Sequence, residues 1–248
     1  MTYPTTTRPG LGRPLLVGTL IALVLIAALA VWAFTGGEFQ LGGDDVNDAI
    51  VVLVLPDEDG TLIPRTITRL GIDADAATTI PIDHVDPRSP AIIPGTTYSE
   101  LRDAYPFGGG ALLARILTET TGTADTATAG NNPGSDARQS AHVILDMDAL
   151  RTVAMGRTAA FDLEIPEHME VFDGERLFTF EEGAATVTLD ELPALFAGAE
   201  YLSAAEREIV RVQVAEEIIS LLRGGGTQLY DAVETDLSAD RYAEFVSK

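Results

Sequence analysis

The chain of 248 residues contains no cysteine, which rules out disulfides, thiolate catalysis and cysteine-based metal sites. Its stability has to come from a packed core. Lysine is nearly absent as well: the only one is Lys248, and 16 basic residues face 38 acidic ones for a formal charge of −22. That balance excludes nucleic acid as a partner, because phosphate-backbone binding needs clustered cations. It also repels any phosphorylated substrate unless a metal or a few placed arginines reverse the local field. The acidity otherwise reads as a solvated surface. Histidine is sparse, and His84, His142 and His168 match no short metal-binding spacing. There is no Gly-x-Ser-x-Gly elbow. The glycine triplets at 108–110 and 224–226 lack the Lys-Ser/Thr pair of a phosphate loop.

What is present begins with a long apolar run. Leu15 to Phe34 carries no formal charge and has the roughly 20 residues that a helix needs to cross a hydrocarbon core of about 30 Å. Arg8 and Arg13 precede it, while Glu38, Asp44 and Asp45 follow and the next cation is Arg65. The positive-inside rule therefore places the N-terminus in the cytoplasm and the bulk of the chain outside. A cleaved signal peptide is the alternative, with Ala28-Leu29-Ala30 as the small-x-small site. The expected organisation is a cytoplasmic tail at 1–14, a transmembrane helix at 15–34, a glycine-rich tether at 35–47 and an extracytoplasmic domain at 48–248.

Within that domain Ala49 to Leu55 is a continuous apolar run of strand length, as for a strand covered on both faces. A turn at 56–60 leads to a second strand at 61–70, and Thr79 to Asp83 reads as a short third strand. Ala111 to Thr120 has a helical apolar face, 121–140 is a loop rich in small polar residues, and Ala141 to Leu145 is again a strand. Met147 to Met155 reads as helix and Thr158 to Ile165 as strand, followed by an irregular acidic stretch. Ser203 with Glu206 forms a capping box for the longest helix, whose buried stripe is Val210, Val214, Ile218, Leu221 and Leu222, and which Gly224 stops. The alternation predicts an α/β fold: an α/β/α sandwich with a mixed central sheet, preceded by one N-terminal transmembrane helix.

The order of segments from Asp48 onward resembles the LytR-CpsA-Psr family. Asn47-Asp48-Ala49-Ile50 is similar to its Asp-led first strand, and Thr79-Ile80-Pro81-Ile82-Asp83 to its strand ending Ile-Pro-Arg-Asp. Ile93-Pro94-Gly95 and the segment from Leu101 to Gly109 are similar to the pieces that follow. His142 to Leu150, Phe161 to Met169 and Thr235-Asp236-Leu237-Ser238 continue the likeness. The resemblance implies a membrane-anchored bacterial envelope protein that accepts a polyprenyl pyrophosphate-linked glycan and passes the glycan phosphate to peptidoglycan.

The resemblance further implies magnesium held by the carboxylates of Asp48 and Asp83, with Arg211 as the catalytic guanidinium and Gln213 beside it. Departures occur at the arginines. Ile82 stands where the strand carries Arg, Glu208 where the helix carries the partner of Arg211, and neither 45–47 nor 201–203 supplies a basic residue. Arg102 and Arg207 are the candidates to replace them as substrate-binding groups, the other reading of both being a solvated helix face. Two functions follow: a glycopolymer transferase, or a catalytically degenerate relative that binds polyprenyl lipid or acts as an envelope scaffold.

Overall fold

A computed structural model describes residues 48–57, 59–72, 82–125, 140–154 and 160–248, within a unit that runs Gly42–Lys248. The expected span at Leu15–Phe34 lies outside the described residues, among which no helix is long and apolar enough to cross a membrane.

Strand β1 (Asp48–Pro56) is the centre of the fold, with every residue from Ala49 to Leu55 buried. Such an uninterrupted Val/Leu/Ile run suits only a strand with cover on both faces. It turns through Gly60, whose φ of +81° favours glycine, into antiparallel β2 (Leu62–Gly71), with a bulge at Leu53/Val54. Next comes β3 (Ile82–Val85), antiparallel to β2. The sequence pattern places this strand at Thr79–Asp83, of which 79–81 lie outside the described residues. Helix α1 (Ala104–Asp125) then crosses over to β4 (Ala141–Leu145), which is parallel to β1. The short β9 (Glu234–Thr235) closes a five-stranded mixed sheet of order β3-β2-β1-β4-β9.

The two faces of β1 define two cores. Ile50, Val52 and Val54 pack with Ile67, Ile144 and, from α1, Leu113, Ile116 and Leu117. Ala49, Val51, Leu53 and Leu55 face a larger core. That core is built by α2 (Met147–Ala154), α3 (Leu192–Ala199), α4 (Ala204–Gly225) and α5 (Ala239–Ser247). The β5–β8 ribbon (Ala160–Ile165 with Gly183–Thr188) joins the same side. Helix layers therefore cover both faces of a mixed sheet, as the alternation of elements predicts.

Three local readings are corrected. Helix α1 begins before Ala111, at Ala104, and bends at Gly108 and Gly109, whose backbone angles are non-helical; Gly110 must lie close because a Cβ there would stand 2.4 Å from the His142 ring. Helix α4 opens on the expected Ser203/Glu206 capping box but runs past Gly224 to Gly225, ending where Gly226 takes φ +61°. The stretch after Pro166 is regular. It holds β6 (Met169–Phe172) paired with β7 (Leu177–Phe180), whose alternation is too short to separate from coil by pattern alone.

Candidate functional site

At the end of the sheet where β1 finishes and β2 begins, five arginines from four segments line one pocket. Arg65 comes from the start of β2, Arg88 from the loop after β3, Arg102 from a single 3-10 turn (Leu101–Asp103), and Arg207 and Arg211 from the first turns of α4. Arg207 and Arg211 are four apart and so share a helix face. Pro64, Asp86, Pro87, Phe196, Ala199 and Glu200 complete a solvent-open pocket with a free volume of about 30 Å³, room for a small polar group and not for a whole organic ligand.

Glu200, immediately after α3, stands among the guanidinium groups. Its carboxylate lies 3.5 Å from Arg65, 3.8 Å from Arg102 and 3.6 Å from Arg207, and it contacts Arg88 directly. Arg211 donates through Nη1 to Asp86 Oδ1 at 2.7 Å and pairs with Glu208 one turn back. Arg65 and Arg211 keep only 9% and 8% of their side-chain surface exposed.

Burial pulls the guanidinium pKa of Arg65, Arg88 and Arg211 below the ordinary arginine value; for Arg88 the neighbouring charges of Arg207 and Arg102 add to it. Arginine nevertheless stays charged across the accessible pH range. Buried nitrogens remain without a hydrogen bond: Nε of Arg65, Nε of Arg211 and Nη1 of Arg207. Desolvated, charged and unsatisfied donors of this kind are most economically completed by an anion with several acceptor oxygens, such as a phosphate.

Of the residues singled out in the sequence, Arg102, Arg207 and Arg211 thus come together. Gln213 does not join them: its Nε2 donates to the Glu164 carbonyl at 3.0 Å and its Oε1 accepts from the Glu164 amide at 2.6 Å, which pins β5 to α4. Asp48 sits at the other end of β1, about 20 Å from Val54 and its partner Pro64 at roughly 3.3 Å per residue. There it pairs with Arg69 and accepts Ser140 Oγ at 2.8 Å. Asp83 is the cross-strand neighbour of Arg69 on β3 and does not line the pocket; the β3-end carboxylate that reaches Arg211 is Asp86.

Magnesium wants hard oxygen donors free to face it. Asp48 is already answered by a guanidinium and a hydroxyl, and Asp86 and Glu200 are held by arginines. Among the described residues no group of three or more His, Asp or Glu side chains could share an ion. Asp48, one of the two residues named for magnesium, is thus engaged by other groups, neither Asp48 nor Asp83 lines the pocket, and the positive charge of the pocket comes from arginine.

Reading the sequence misses Arg65, Arg88, Asp86 and Glu200. Arg65 and Arg88 each follow a proline, in Ile63-Pro64-Arg65 and Asp86-Pro87-Arg88, but nothing local says that they converge. The sequence has no basic residue at 45–47, 82 or 208; the further cations of the pocket, Arg65 and Arg88, come from other segments.

No family profile and no curated protein matches the chain. Solved structures do. B. subtilis TagV is similar over 81% of this chain and 80% of its own, at 12% identity and a TM-score of 0.53. A LytR-Csp2A-Psr enzyme from Actinomyces oris is similar over 81% and 74%, at 12% identity and a TM-score of 0.52. TagT bound to LIIa-WTA is similar over 82% and 75%, at 13% identity and a TM-score of 0.50. At such identities the likeness speaks for the backbone, and the chain has the fold of the LytR-CpsA-Psr proteins.

Proposed function

We propose that the arginine pocket holds the pyrophosphate of a polyprenyl pyrophosphate-linked glycan, and that the protein is a cell-wall glycopolymer transferase acting on it. One observation carries this: five guanidinium groups from four segments converge at one end of the sheet in a chain of charge −22. The lining holds five guanidinium groups against the carboxylates of Asp86 and Glu200, a local cationic excess that suits an anion. A structure of the same fold, TagT bound to LIIa-WTA, supports a lipid-linked glycan as that anion.

In the transfer, a peptidoglycan hydroxyl oxygen bonds to the glycan-side phosphorus, the bond from that phosphorus to the bridging oxygen breaks, and polyprenyl phosphate leaves, with the hydroxyl proton passing to the phosphate oxygens of the leaving group. The arginines stabilise charge on the phosphoryl oxygens and on the leaving group. Each charge-assisted contact contributes roughly 1.5 to 3 kcal/mol. The expected span at 15–34 anchors the domain on the outer face of the membrane, where both substrates lie. Magnesium, which the family resemblance implies, is not part of this reading because Asp48 and Asp83 do not line the pocket.

A degenerate, lipid-binding relative is the second reading, favoured by the carboxylates. Asp57, Asp86, Glu100, Glu200 and Glu208 are each paired with an arginine, so none stands ready to take the acceptor's proton.

The deciding experiment incubates the full chain in detergent with a polyprenyl pyrophosphate-linked glycan and peptidoglycan fragments, and follows polyprenyl phosphate release. Release that Arg65→Ala abolishes establishes the transferase. Tight binding without release establishes the second reading, and no binding removes both.

A further inference from the structure

Glu200 occupies an unusual place. It caps the C-terminal end of α3, where the partial negative charge of the helix terminus disfavours a carboxylate. Its own element does not hold it there. Four arginines do, contributed by β2, the loop after β3, the 3-10 turn and α4.

The fit is electrostatic more than stereochemical. The contacts from Arg65, Arg102 and Arg207 measure 3.5, 3.8 and 3.6 Å, at or beyond hydrogen-bond length. Arg65, a side chain more than nine-tenths buried, keeps its Nε unsatisfied, and so does Nη1 of Arg207. One planar carboxylate neutralises the cluster without filling its donors. A tetrahedral phosphate, with more charge and more oxygens, would fill them.

We infer that Glu200 is a specificity-determining residue that sits in the seat of one ligand phosphate and must be displaced by it. This rests on reading the pocket as a phosphate site. An anion that offers less than Glu200 already provides does not displace it, so the pocket selects diphosphates over singly charged groups. The way out is open, since Glu200 keeps 29% of its side-chain surface exposed and the adjoining Tyr201 is 89% exposed.

The test is calorimetric titration of the full chain in detergent micelles with inorganic pyrophosphate, and separately with a polyprenyl pyrophosphate, for the wild type, Glu200→Gln and Glu200→Ala. Removing the competing charge should tighten inorganic pyrophosphate binding by roughly tenfold or more, the range of one charge-assisted contact. In Glu200→Ala, added acetate should take the vacated seat and weaken pyrophosphate binding back towards the wild-type value, while leaving the wild type unaffected. A purely structural Glu200 would show no such acetate effect. Thermal unfolding with and without pyrophosphate covers a destabilised variant: the ligand-induced rise in Tm should be larger in Glu200→Gln than in the wild type.

Wild-type binding with equal or weaker binding in both variants, or an equal Tm rise, overturns the role of Glu200 and leaves the phosphate site standing. Absence of inorganic pyrophosphate binding in all three proteins overturns both. Tightening seen only with the lipid-linked ligand also overturns the inference, because a seat for phosphate must respond to phosphate alone.

Discussion

Arg211 on α4 donates to Asp86, 125 residues earlier in the chain, at 2.7 Å. That bond ties α4 to the loop leaving β3, and it brings the pocket's two buried arginines, Arg65 and Arg211, to one end of the sheet. Because Arg211 also carries an unsatisfied buried Nε, the ion pair positions the guanidinium without using it up.

Replacing Arg211 with Ala should therefore weaken pyrophosphate binding by roughly 10- to 100-fold, the equivalent of 1.5 to 3 kcal/mol. Asp48→Ala should leave that binding unchanged. It removes an ion pair with Arg69 and a bond from Ser140 at the far end of β1, so its cost of about 1 to 3 kcal/mol should appear in urea unfolding instead. Loss of ligand binding in Asp48→Ala would contradict the placement of the site.

Gln213→Ala should behave like Asp48→Ala. The amide bridges the backbone of β5 rather than the pocket, and about 1 kcal/mol of stability is at stake. Parallel titration and unfolding curves on the one variant separate the two effects.

Chelation offers a direct check on the charge source. With arginines supplying the positive field, EDTA should leave the affinity for inorganic pyrophosphate within about twofold, since the contacts are guanidinium to oxygen. A large loss restored by added magnesium would show that the metal participates.

Tyr242 is fully buried and its hydroxyl has no partner, so Tyr242→Phe should be neutral or stabilising by about 1 kcal/mol. Burial pushes its pKa up to about 12, and burial with Glu234 beside it does the same for Tyr105. A phenol whose folded pKa is raised stabilises the fold below its unfolded pKa of about 10. That stability is lost as pH rises through about 12. Urea midpoints should fall across this window and fall less in a Tyr105→Phe/Tyr242→Phe double variant.

Gly110→Ala should destabilise by about 1 to 3 kcal/mol, because the added Cβ meets His142 ring atoms at 2.4 to 2.9 Å. An unchanged midpoint would mean that the kinked start of α1 lifts off the sheet freely.

Much of the frame could be read along the chain. The apolar run of β1, the two-sided burial it demands and the capping box at Ser203 each depend on residues within a few positions of one another, so local pattern suffices. Helix α5 and the β6–β7 hairpin were not legible, the hairpin because its strands of four residues gain definition only by pairing.

The apolar N-terminal run, the acidic and cysteine-free character, the mixed α/β order and the candidacy of Arg102, Arg207 and Arg211 are all legible along the chain. Which charges meet depends on the fold in three dimensions. Asp48 and Asp83 fall away from the pocket because strand register puts them beside Arg69, while Arg65, Arg88 and Glu200 enter it from distant segments. Strand and helix periodicity are properties of neighbours in the chain, whereas an ion cluster is made by the crossing of separate elements at one end of a sheet.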